Sequence, residues 1–186
     1  MNILKPKNQA AILVAGIAMM GLSTSLAAAE EMDFSGVECI EHVVRWERAS
    51  GPFGGIHGLV ERNGICFDAD GNFTNWIMHW YTVDVVGGVA VWRGNTVVTV
   101  PPTAAQVAAG EDGDKIFLDW RSAHGVEGPE GQVSTMWVAR GLGRFGNATG
   151  GGDFIEFNPP NDPAGLAPDL QVMVRISFQP GFVVTY

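Results

Sequence analysis

Residues 141–154 read GLGRFGNATGGGDF, six glycines in fourteen positions. The run VSTMWVAR (133–140) comes before it and GDFIEF (152–157) closes it, and both are rich in the β-branched and aromatic residues that strands favour. A glycine cluster between two such runs lets the backbone double back at φ values that a side chain forbids. A phosphate-binding loop is excluded by context, because no helix pattern follows and no Lys-Ser or Lys-Thr ends the run. The stretch is therefore a strand-to-strand turn.

Working outward from that turn, no long segment shows apolar residues at helical spacing. Short runs of Val, Ile, Trp, Phe and Thr punctuated by Gly, Asn and Asp predict strands near 36–48, 55–66, 73–86, 89–100, 115–121, 132–140, 151–157 and 170–178. DADGN (68–72) and EDGD (111–114) are turns in which Asp bonds its own backbone and Gly takes positive φ. VVGGVAV reads as a Gly-Gly hairpin, and TAAQVAAG as one helical turn. The Pro-rich segment 158–169 cannot enter a sheet interior. In the last strand, Val172, Val174, Ile176 and Phe178 fall on one face. About eight such strands predict an all-β chain folded as an antiparallel eight-stranded barrel, which leaves no open edge.

The frame Gly141-x-Gly143-x-Phe145-x-x-Ala148-x-Gly150 resembles the Gly-x-Gly-x-Phe/Tyr-x-x-Ala-x-Gly motif of the barrel superfamily that includes dirigent proteins and allene oxide cyclases. The resemblance covers Val133 to Phe178, and Leu142 departs from the Thr or Ser usual in the motif. It implies a dirigent-like or allene oxide cyclase-like barrel with Phe145 inserted at one end. By the same resemblance, a lumen would act on a small molecule through shape and a few polar groups, without a cofactor.

Composition narrows the setting. MNILKPKNQ supplies Lys5 and Lys7, AAILVAGIAMMGL is an apolar core, and STSLAAA ends in small residues, so residues 1–29 read as a signal peptide with cleavage after Ala29. Residues 30–186 then form a single β-barrel domain in the periplasm or outside the cell. The net charge is −9, and losing the leader's two lysines makes it more negative. An acidic chain with no basic stripe excludes nucleic acid and anionic lipid surfaces as partners. Cys39 and Cys66, an even pair in an oxidising compartment, are expected to form a disulfide. No CxxC, HExxH or clustered His/Cys spacing points to a metal.

The candidate site is NFTNWIMHWYTVD (72–84), where Trp76, His79, Trp80 and Tyr81 are read as ligand-binding residues on the wall of a lumen. Alternation puts Trp76, Met78, Trp80 and Thr82 on one face and Ile77, His79, Tyr81 and Val83 on the other, without deciding which points inward. His79 is read first as a hydrogen-bonded core histidine and second as a catalytic acid or base. Glu41, Arg45 and Glu47 are expected in cross-strand ion pairs. A second use for Glu41 is as a buried acid whose pKa an apolar lumen would raise. Arg62 is read as a surface position. FDADGNFT has acids at alternate positions but lacks the downstream Gly and Glu of a calcium loop.

Three functions fit these residues. The first is an exported barrel that binds a small apolar or aromatic molecule and steers its cyclisation or coupling. The second is a non-catalytic periplasmic binding or structural barrel, and the third is a small outer-membrane barrel ending in Phe182, Val184 and Tyr186. The paired cysteines and strands with polar residues on both faces speak against membrane insertion after cleavage. Homo-oligomers are left open.

Overall fold

A computed structural model of the protein describes residues 29–50, 56–86, 89–122, 132–157 and 173–186. The segment read as a signal peptide (save Ala29), the expected hairpin turn at Gly87-Gly88 and the Pro-rich segment lie outside the described residues. The elements are β1 (Glu31–Asp33), β2 (Glu38–Ser50), β3 (Ile56–Phe67), β4 (Phe73–Val86), β5 (Val89–Thr99), α1 (Ala104–Ala109), β6 (Lys115–Ser122), β7 (Gln132–Leu142), β8 (Thr149–Phe157), β9 (Met173–Phe178) and β10 (Val183–Thr185). Each of β2 to β8 pairs antiparallel with the next, and β9 returns to β2 from Glu38↔Ser177 to His42↔Met173. Eight strands thus close into a barrel, at the positions the residue pattern predicts. The short strands β1 and β10 were not anticipated; they pair with each other, and β10 adds to the start of β8.

Closure makes every strand two-faced. Inward positions include Val60, Ile77, Val83, Val98, Ile116, Leu118, Met136, Val174 and Ile176, all at most 2% exposed. Cys39 and Cys66 are register partners on β2 and β3, both buried, and they form the disulfide. Tying them restricts the unfolded chain and stabilises the fold by ~3–4 kcal/mol in the chain-entropy account.

Because the strands are antiparallel, successive connections leave the barrel at alternate ends. The glycine turn lies at one end with the turns 68–72, 100–114 and 179–182. Gly143 has φ +66, and any side chain there would meet the Asp114 carboxylate. A Cβ on Gly141 would collide with the Phe145 carbonyl. These two glycines let residues Gly143–Phe145 make a single 3-10 turn that pushes Phe145 inward, where it is fully buried. Its ring stands edge-on to Tyr186 at 4.6 Å, and Phe34, Phe178 and Phe182 pack on one another beside it. Asp114 pins the arrangement, accepting a hydrogen bond from Gln106 Nε2 of α1 at 2.8 Å and pairing with Arg144 at 3.3 Å. This end is an apolar plug. Phe182 and Val184, whose alternation had suggested a terminal membrane strand, are buried in it.

Candidate functional site

A bulge in β2 sets the site. Glu41 points inward in phase with the buried Cys39 and Val43, and the register then slips between Val43 and Arg45, so Arg45 and Glu47 lie on the outer surface. The expected cross-strand pairs of Glu41, Arg45 and Glu47 are therefore not formed as such. Arg45 instead pairs with Glu47 two residues along its own strand. Glu41 is fully buried and meets His79 of β4, whose Nδ1 lies 2.7 Å from Oε1 and 2.9 Å from Oε2. The two residues singled out as catalytic candidates are thus brought together inside the barrel.

A second charged pair crosses the same interior. Arg62 on β3 is 1% exposed and its Nη1 lies 2.8 Å from Glu156 Oε1 on β8. Arg62 is not a surface residue. Its neighbours Glu61 and Asn63 are also polar, so alternation in the sequence carries no sign of which of the three turns in. Burial is the largest single influence on its guanidinium and works against the charge. Glu156, Tyr81 and Glu41 together outweigh burial and hold its pKa above the ordinary value. The guanidinium also sits over the Tyr81 ring at 4.8 Å.

Aromatic rings enclose the two pairs. Trp120 stands edge-on to His79 at 6.0 Å, Phe154 stacks on it at 6.5 Å, and Trp120 lies 5.4 Å from Tyr81. Tyr81 in turn stacks on Trp92 at 6.4 Å. His79 and Tyr81 are therefore on the inner face. Trp76, 44% exposed, and the half-buried Trp80 are on the outer face, so the four residues read as one ligand wall divide between two surfaces. Sequence reasoning missed Arg62, Glu156, Trp92, Trp120 and Phe154. Single aromatic residues on separate strands become neighbours only when the barrel closes.

Several inward polar atoms have no hydrogen-bond partner among the described residues: His79 Nε2, Arg62 Nε, Thr96 Oγ1, Trp92 Nε1 and Trp120 Nε1. A carboxylate on Nδ1 with Nε2 left unbound is the arrangement by which an enzyme orients an imidazole and stabilises its charged form. Arg62 is thus paired with Glu156, and the imidazole held by Glu41 presents its Nε2 to the interior. Among the described residues no group of three or more His, Cys, Asp or Glu side chains could hold a metal ion.

No protein-family model matches the sequence, and no curated protein matches it. Among solved structures the chain is similar to a pterocarpan synthase dirigent protein, with a TM-score of 0.49, 10% identity, and coverage of 85% of this chain and 84% of that one.

Proposed function

We propose that the barrel interior binds a small aromatic molecule bearing a hydroxyl or carbonyl oxygen, and that His79 moves a proton at that oxygen while the walls steer cyclisation or coupling. The observation that carries this reading is His79 Nε2, which is buried against Trp120 and Phe154 and has no hydrogen-bond partner among the described residues, while Glu41 holds Nδ1. Nε2 gives a proton to, or takes one from, the ligand oxygen, and Glu41 stabilises the imidazolium that forms. The rings of Tyr81, Trp92, Trp120 and Phe154 fix the aromatic body in one pose, so that one closure is favoured over others. The unpaired donors on Arg62, Trp92 and Trp120 select for oxygen atoms, because a ligand without them leaves buried N–H groups unsatisfied.

The leader and the disulfide support export, and the charged pairs that the barrel keeps inside, away from its outer face, support a polar-lined interior. The rival reading is a filled, inert barrel, favoured by the mutual contact of the rings and the pairing of the charges.

Mass spectrometry of ligand carried through purification, followed by a melting screen of phenolic and apolar compounds, separates the two. A ligand that binds only the folded state raises the melting temperature. His79→Gln should keep that shift and lose turnover, and Trp120→Ala should lose the shift. A screen that moves neither melting nor tryptophan emission would leave the inert barrel.

A further inference from the structure

The outer face of β4 to β7 carries an ordered row of side chains that the interior does not use. Trp80, Asn95, Asp119 and Trp137 are successive register partners across four adjacent strands. Asn95 Nδ2 donates to Asp119 Oδ1 at 2.6 Å, so a planar amide–carboxylate pair lies midway between two indoles. One pleat further on, Arg93 and Arg121 face each other directly. Like charges in that position destabilise a strand pair. Arg121 is held over the Trp137 ring at 5.9 Å, and Arg93 reaches Asp84 only at 3.6 Å.

The relief of this surface matches the row. A groove of about 490 Å³ runs along the arginine side and includes Trp80, Asn95, Asp119 and Trp137. A second, about 290 Å³, lies on the other side and shares Trp80, Asn95 and Asp119. Trp137 is 40% exposed although its indole is one of the largest apolar surfaces a residue has. Three strand spacings put the two indoles ~14 Å apart, too far for one small ring to touch both.

We propose that this face is a binding site for a short uncharged oligosaccharide lying across the strands. The two indoles would stack on the C–H faces of separate pyranose rings. Asn95, Asp119 and the two guanidiniums supply planar, paired donors and acceptors suited to vicinal hydroxyls. Over the whole face the charges balance, with Arg93, Arg121 and Arg140 set against Glu61, Asp84 and Asp119, which suits a neutral polyol better than a polyanion. The site is separate from the barrel interior and does not depend on a ligand there.

The test is tryptophan emission and isothermal titration of the full chain with cellotetraose, tetra-N-acetylchitotetraose and an oligogalacturonide of equal length. Binding of a neutral tetrasaccharide is expected, weaker for the corresponding monosaccharide. Trp137→Ala should weaken it about tenfold or more, the loss of one stacking contact, and Asn95→Ala should weaken it as well. His79→Gln should bind as the unaltered chain does. Silence from both neutral tetrasaccharides, preference for the oligogalacturonide, or binding that survives Trp137→Ala would overturn the proposal. So would sedimentation showing that Trp137→Ala dissociates an oligomer, since the face would then be covered by a second copy.

Discussion

The plugged end of the barrel and its middle are both shielded from water, yet they are built from opposite materials. At the plug, Phe34, Phe145, Phe178, Phe182 and Tyr186 meet ring against ring, held by a glycine turn that admits no other backbone. In the middle, Glu41, Arg62, His79 and Glu156 are polar groups taken out of water, and the attraction within such buried pairs does little more than offset the cost of desolvating them. A buried ion pair is weak evidence for stability. The plug closes one end of the barrel, and the middle holds the groups on which the proposed proton transfer rests.

The sharpest break in this contrast comes from single truncations, which should hurt both regions alike. Phe145→Ala removes a packed ring and should lower stability by ~3–5 kcal/mol in urea unfolding. A variant as stable as the parent would show that the turn does not carry the plug. Arg62→Ala should cost a similar ~3–5 kcal/mol, because Glu156 is left charged and alone.

Gly143→Val comes next, at ~1–3 kcal/mol, since a β-branched residue is forced to φ +66 against Asp114. The regions part company in a paired replacement. Arg62→Met combined with Glu156→Leu should be neutral or stabilising by up to ~4 kcal/mol, while ligand-induced melting shifts disappear. If the double variant were as damaged as the single one, the charges would belong to the scaffold after all.

The smallest effect belongs to a surface turn that shares neither character. The Asp68 carboxylate accepts hydrogen bonds from the Asn72 side chain and from the backbone N–H groups of Asp70 and Asn72. The Asn72 amide foremost holds its pKa below the ordinary 3.8. A depressed carboxylate contributes stability above that value and loses it as pH falls through the folded-state pKa. Asp68→Asn should therefore melt slightly lower than the parent at neutral pH, and the two curves should converge in the acid range.

The strands were legible because β-branched and aromatic runs alternate with Gly, Asn and Asp turns, and the glycine stretch announced Phe145. Two kinds of feature were not legible. β1 and β10 are three residues each, too short for a period, and exist only because β8 offers them an edge. The bulge after Val43 was invisible because Glu41-His42-Val43-Val44-Arg45 suits either phase, and it decides that Arg45 and Glu47 point away from the face of Glu41. The site was half legible. His79 and Tyr81 stood out as polar points in an aromatic run and Glu41 as a candidate acid, but nothing in the sequence joined Glu41 to His79 or marked the Arg62–Glu156 pair, because these residues come from separate strands.

The hydrogen bonds between β2 and β9 join the earliest barrel strand to the latest, with more than a hundred residues between them. Contacts so distant along the chain raise the contact order and slow folding, since the closing step must wait for both strands. Until β9 has been synthesised, the ring is an open sheet with a bare margin on β2. Such a chain stays unclosed for as long as its synthesis lasts. Over that time the β2 margin is open to association with a second copy, as any unpaired strand left exposed is.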